Sequence, residues 1–234
     1  MKLFVVGLPI GNIEDMSVRA IKTIQTAPYL VCEDTRMFSN LWTKLVSLGL
    51  AEKFTGKLRF INDFNEQRQL PKVISEMALE ERAVLVSDAG MPLISDPGYK
   101  LVKSALDLDW EVEVVPGPTA ESSALAISGL PTDKYLFLGF LPKKEGKRKE
   151  VLRNALVDSL INYSVVIYES AVRAVKILEE IAELNSSLTV FVGVDITKVS
   201  EKQFRGSLSD VIEQLKTKPL KGEVTVVLHE AKLS

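Results

Sequence analysis

Cysteine and histidine are nearly missing from this sequence: there is one of each, Cys32 and His229, in 234 residues. A lone cysteine excludes an intramolecular disulfide. The two residues together cannot make a zinc site of clustered Cys and His ligands, so no metal is expected. Acid–base catalysis by histidine would rest on His229 alone. That residue ends the apolar strand pattern EVTVVLH (223–229), which suits a structural or solvent-facing place. Long apolar runs are absent too, so no membrane-spanning helix is expected. The opening MKLFVVGLPIGN has one lysine and too short an apolar segment for a secretory signal, and a cytoplasmic protein is the expectation. Charge of one sign is not in excess either, with 29 Lys and Arg against 31 Asp and Glu. Proteins that work mainly by neutralising phosphates are basic overall, so nucleic-acid binding here would need a local patch. Carboxylates, lysines, arginines, backbone amides and a bound cofactor remain for chemistry.

What the sequence does have is alternation. Strand patterns at 2–6, 29–33, 57–62, 82–87 and 111–115 are separated by helical patterns at 17–27, 38–49, 65–79 and 99–108. Ser17 is placed to cap the first helix and Gly49 to end the second. After PGP (116–118), the small-residue helix 119–128 is followed by strands at 135–140, 164–169, 188–194 and 223–229. Helices at 145–160, 171–184 and 207–216 lie between them. Such alternation predicts an α/β protein with mostly parallel or mixed sheets. Two domains are expected, over 1–115 and 116–234.

In open α/β sheets, ligands bind beyond the carboxyl ends of the strands. Four unusual segments fall there. VGLPIGN (6–12) has glycines that allow close backbone approach, but it matches neither the G-x-G-x-x-G dinucleotide fingerprint nor a P-loop. It reads as an ordinary turn or as a binding loop. EDTR (33–36) reads either as a solvated loop in which Asp34 caps a turn, or as ionisable groups that read hydroxyls. SDAGMPLISDPG (87–98) crowds two prolines, two glycines and two aspartates into twelve positions, where about 2–6 residues would connect a strand to a helix. Asp88 and Asp96 there either satisfy loop amides or accept from a ligand. VPGPTA (115–120) leads into a helix whose first amides face the same edge, either capped by Thr119 or open to a ligand carboxylate. A fifth feature, PKKEGKRKEVLR (142–153), sets six basic residues against two glutamates. It reads as solvated surface or as a source of phosphate contacts.

In order along the chain, VGLPIGNIEDMSVRAI, CEDTR, VSDAGMPLISDPGYKLV, VPGPTAESSALAISGLPTDKYLFLGFLPKKEGKRKE, YES and DITK resemble the tetrapyrrole methylase superfamily. Within it they look most like the ribosomal RNA small subunit methyltransferase I family. The resemblance implies a two-domain methyltransferase, usually a homodimer, with S-adenosylmethionine folded into a cleft between the domains. It implies methyl transfer to the ribose 2′-oxygen of a cytidine in the decoding region of small-subunit rRNA, in the RNA or the 30S subunit. By the family pattern Leu8, Pro9, Asp88, Ala89, Gly90, Met91, Ile94, Thr119, Ala120, Tyr168 and Glu169 would contact the cofactor. Glu33, Asp34, Arg36 and Lys198 are the candidate general bases or electrostatic partners for the hydroxyl. Lys143, Lys144, Lys147, Arg148, Lys149 and Arg173 are the candidate RNA contacts. Met91 stands where the family commonly has threonine, and ESAVR (169–173) replaces Glu-Ser-Pro-His-Arg. A small-molecule or tetrapyrrole methyltransferase is the alternative substrate class, and a non-catalytic module that binds cofactor or RNA is the alternative outside enzymes.

Overall fold

The structure, a computed structural model, describes residues 1–156, 163–217 and 220–230. The chain divides into two compact units, Met1–Thr119 and Ala120–Ser234.

The first unit carries strands β1 (Lys2–Val6), β2 (Tyr29–Cys32), β3 (Lys57–Phe60), β4 (Arg82–Leu85) and β5 (Glu111–Val115). They pair in the order β3-β2-β4-β1-β5, and every neighbouring pair is parallel. Helices α1 (Val18–Gln25), α2 (Thr35–Ser47), α3 (Glu66–Met77) and α4 (Tyr99–Asp107) make the crossovers. Right-handed crossovers decide which face each helix covers. The chain first winds from β1 out to β3, then returns through β4 to β5, so α1 and α2 cover one face and α3 and α4 the other. The cores agree. Ala20, Ile24, Phe38, Trp42 and Leu45 pack with Val6, Leu30, Cys32, Val84 and Val86. Val73, Met77, Leu101 and Ala105 pack with Leu3, Tyr29, Val31, Ala83 and Leu85. Alternate residues of each strand go to opposite cores, as the two-residue period of a strand requires. The direction of winding reverses between the neighbours β1 and β4, the kind of switch point beyond which open α/β sheets bind their ligands.

The second unit has β6 (Tyr135–Phe140), β7 (Ser164–Ser170), β8 (Leu188–Val194), β9 (Lys202–Ser207) and β10 (Glu223–Glu230), in the order β6-β7-β10-β8-β9. Only β6 and β7 pair in parallel; the other three pairs are antiparallel. Helices α6 (Glu145–Leu156), α7 (Ala171–Leu184) and α8 (Leu208–Thr217) fill one core with the inward residues of these strands. Helix α5 (Ala120–Ile127) contacts β7, β8 and β10. Strand β9 was not expected from its sequence. The helix expected over 145–160 is described to Leu156, and 157–160 lie outside the described residues. Among the described residues no helix is long and apolar enough to cross a membrane, and no cluster of three His, Cys, Asp or Glu is arranged to hold a metal ion.

Candidate functional site

All five loops that leave the carboxyl ends of the first sheet lie on one edge, because all five strands are parallel. At the β1–β4 switch point two of these loops are zipped together. Leu8 N–H donates to Gly90 O at 2.8 Å, and Gly90 N–H donates to Leu8 O at 3.1 Å. Gly90 holds φ near +73°, a conformation that costs glycine little. Leu93 and Ser95, with φ of 73° and 65°, sit in the same left-handed region without that freedom. Their strain shows that the surrounding loop over-determines its shape. Ser87, buried, donates its hydroxyl to Ala89 O at 2.9 Å and so ties the start of the loop.

The candidate cofactor residues of this unit distribute around that zipper. Leu8, Pro9 and Gly90 are buried, Asp88, Met91 and Thr119 half-buried, and Ala89 and Ile94 exposed. Loop VPGPTA meets VGLPIGN backbone to backbone. Gly7 N–H donates to Val115 O at 3.0 Å, and a Cβ built on Gly7 would lie 2.7 Å from Gly117 Cα. Sequence reasoning marked Gly7 as open to close backbone approach but did not single out Gly117. Their close approach needs both of them, and no local pattern tells which distant backbone a glycine will meet.

Glu33, Asp34 and Arg36 lie on the same edge, but they are not equivalent. Asp34 caps α2 by accepting from Arg36 N–H at 2.8 Å, and its carboxylate takes the Arg36 guanidinium at 2.6–3.2 Å. Those bonds hold its carboxyl down at about 2. Its own N–H donates to Asp88 Oδ1 at 3.1 Å, which links the loop after β2 to the loop after β4. Glu33 has the opposite environment. Burial, and then the negative charges of Asp96, Asp88, Asp63 and Asp34, push its carboxyl up to about 7. Burial likewise raises Asp88. Asp63, from the loop after β3, was not among the candidates. The edge is thus rich in carboxylates, and its exposed Arg36 is already paired with Asp34.

Among the candidates of the second unit, Tyr168 donates its hydroxyl to the buried carboxylate of Glu121 and accepts from Glu121 N–H at 3.0 Å. Its ring packs edge-on against Phe137 and Phe140, with centroids 4.8 and 5.6 Å away. Ala120, at the start of α5, is half-buried. Glu169, at the end of β7, is buried. Its Oε1 accepts from Ser170 N–H at 2.7 Å, and its Oε2 sits 3.2 Å from Arg173 without a hydrogen-bonding alignment. Lys198 follows β8 and is held by Asp195 at 2.9 Å and Glu223 at 2.7 Å. Burial pulls its pKa down, but the two carboxylates outweigh that and raise it. A lysine held this way is favoured in its charged form, which suits an electrostatic group better than a general base.

The basic segment divides. Lys143, Lys144 and Lys147 are exposed, and Lys149 pairs with Glu145 and Glu183. Arg148 corrects the expectation. It is 3% exposed and is spent on Glu180, with Nε to Oε2 at 2.7 Å and Nη2 to Oε1 at 2.6 Å. Its Nη1 donates to Pro142 O and Lys143 O. A guanidinium so enclosed holds the start of α6 in place and is not available to a phosphate. Arg173 is half-buried, beside Glu169 and Leu141 O, and so faces protein partners as well.

Residues 2–212 match the family of Tetrapyrrole (Corrin/Porphyrin) Methylases. Curated relatives include Ribosomal RNA small subunit methyltransferase I of Thermotoga maritima, 37% identical over 97% of both chains. The protein of the same name from a Hydrogenobaculum species is 41% identical over 98% of this chain and 96% of its own. Solved structures of similar fold include uroporphyrin-III C-methyltransferase from Thermus thermophilus complexed with S-adenosylhomocysteine, with TM-score 0.64, 20% identity and 98% of each chain covered. Cobalt precorrin-4 methyltransferase aligns with TM-score 0.66 at 16% identity, over 97% of this chain and 94% of its own. The chain therefore belongs to the tetrapyrrole methylase superfamily and, within it, to the ribosomal RNA small subunit methyltransferase I family.

Proposed function

We propose that this protein is an S-adenosylmethionine-dependent methyltransferase that methylates the ribose 2′-oxygen of a cytidine in the decoding region of small-subunit rRNA. The observation that carries the reading is the junction of the loops after β1, β4 and β5 at the switch point of the parallel sheet, in a chain of this family. The donor set suits the cofactor. Main-chain groups, the apolar Leu8 and Ile94, and half-buried carboxylates meet on an edge whose exposed arginine is paired. A cationic sulfonium with an ammonium group fits such a site, whereas a polyphosphate would be repelled by the carboxylates. Asp88, Ala89, Gly90, Met91, Thr119, Leu8, Pro9 and Ile94 are the proposed contacts of the first unit. Ala120, Tyr168 and Glu169 of the second unit belong to the same proposal.

The bound cofactor supplies an activated methyl group. The protein supplies orientation, which accounts for much of the acceleration in a displacement of this kind. Glu33 is the group on this edge best suited to take the hydroxyl proton, because its carboxyl titrates near neutral pH while Asp34 is tied to Arg36. Asp34 positions the α2 terminus and the Asp88 loop. Lys198 contributes positive charge. Lys143, Lys144 and Lys147 are the proposed phosphate contacts, and a homodimer in the cytoplasm is the proposed working form. Calorimetry with S-adenosylmethionine, followed by transfer of a labelled methyl to purified small subunits or their RNA, tests the reading. Binding followed by transfer to RNA supports it. Binding with transfer only to a tetrapyrrole, or with no transfer, overturns the substrate assignment.

A further inference from the structure

We propose that Met91 is a positioning residue, a thioether strap that crosses β1 and ties the loop after β4 to the loop after β5. The inference rests on the cofactor reading above. Strand β1 lies between β4 and β5 in the sheet, so the loops that follow those two strands are separated by the chain that leaves β1. That chain is bonded on both sides, Gly7 to Val115 and Leu8 to Gly90. The Met91 side chain spans the remaining distance. Its Sδ lies 3.3 Å from Gly117 N and accepts that N–H.

It reaches Gly117 by passing over Gly7. A Cβ on Gly7 would fall 2.6 Å from Met91 Sδ, and a Cβ on Gly117 would fall 2.8 Å from the Gly7 carbonyl carbon. The two glycines therefore leave the space that the sulfur and the facing backbone fill. An unbranched, flexible side chain with a weak acceptor near its end suits such a span. The anchored segments carry residues proposed to meet the cofactor, Asp88–Met91 on one side and Thr119 on the other. With the strap in place they are held at a fixed separation before the ligand arrives. Without it each loop keeps its own bonds, such as Ser87 to Ala89, but ordering the pair falls to the binding step and weakens it. The strap also occupies the Gly117 N–H, so that amide is not one of the donors offered to the ligand.

Met91→Leu keeps much of the volume and removes the acceptor, and Met91→Ala removes the strap. The measurements are the Kd for S-adenosylmethionine by calorimetry, KM and kcat for methyl transfer, and hydrogen exchange at the Gly117 amide. Met91→Leu is expected to raise Kd and KM about 5-fold, the worth of one hydrogen bond. Met91→Ala raises them further. The rise in KM exceeds any fall in kcat, and the Gly117 amide exchanges faster in both variants. Hydrogen exchange over both cores checks that each variant is folded, and Met91→Leu carries the test if Met91→Ala is not. An unchanged Kd and unchanged Gly117 exchange in Met91→Leu overturn the positioning role while wild-type binding leaves the cofactor reading standing. A lower kcat with unchanged KM also overturns it. Failure of the wild-type protein to bind S-adenosylmethionine overturns the cofactor reading, and the positioning role with it.

Discussion

Replacing Arg148 with methionine removes a guanidinium that makes four hydrogen bonds, two to Glu180 and one each to Pro142 O and Lys143 O. The methionine fills much of the same volume but leaves the Glu180 carboxylate buried, with Lys176 Nζ at 3.9 Å and the more distant charge of Lys149 as cations that still act on it. Breaking one side of a buried ion pair costs about 3–5 kcal/mol, most of it the penalty of the stranded charge. Urea unfolding at neutral pH should therefore show a loss of that size. The double variant Arg148→Met with Glu180→Leu should recover most of it, because no charge is then stranded. The sign of the pH dependence follows from Glu180. Hydrogen bonding to Arg148 lowers its pKa below the usual 4.5, so the stabilisation is present above that value and is lost as pH falls through the folded-state pKa. The gap between wild type and Arg148→Met should accordingly narrow in acid. A loss under about 1 kcal/mol would refute the reasoning, since a solvated arginine costs no more than that. So would a drop in RNA affinity with stability unchanged.

Glu33 gives a second pH prediction. Methyl transfer should rise through about pH 7 as Glu33 loses its proton, and Glu33→Gln should flatten that limb and slow the reaction. Because its folded-state pKa is raised, the contribution of Glu33 to stability is full below about 4.5 and is lost as pH rises through about 7. Measured against wild type at the same pH, Glu33→Gln should thus show a more favourable difference in melting temperature at pH 8 than at pH 4. Asp34→Ala should lower the melting temperature by uncapping α2 and leave Arg36 free, read by calorimetry and by faster exchange of the Arg36 amide. Burial pushes the Cys32 thiol up to about 12, so a thiol reagent should label it only as the protein unfolds. Changing Lys143, Lys144 and Lys147 together to alanine should weaken RNA binding and its salt dependence without affecting S-adenosylmethionine binding.

Most of the first sheet was legible because its strands and helices differ sharply in period and are bounded by Ser17, Gly49 and the prolines. Helix α2 begins three residues earlier than expected, at Thr35, because Asp34 turns the polar segment EDTR into a cap. Strand β9, KQFRGS, was missed because only Phe204 in it is buried, and an edge strand with one buried residue has almost no hydrophobic alternation. The second sheet is mixed because β10 inserts between β7 and β8, a pairing that separate strand patterns do not encode. Arg148 was hidden by composition, since it sits in a run of cations. Its helical phase held the signal: Arg148, Leu152 and Leu156 are four residues apart and share the buried face of α6. The candidate site was legible as a set of loops, because glycine, proline and aspartate crowd there. The bonds that join those loops, Leu8 to Gly90, Asp34 to Asp88 and Met91 to Gly117, connect positions 26 to 82 residues apart, and only the tertiary fold assigns them.

The central claim is ribose methylation of small-subunit RNA, and its most direct test is a map of ribose methyl groups in that RNA from cells with and without this protein. The account predicts the loss of one 2′-O-methyl group on a decoding-region cytidine, restored by the wild-type protein and not by Glu33→Gln. An unchanged map, or a methyl group lost from a base and not a ribose, would contradict it.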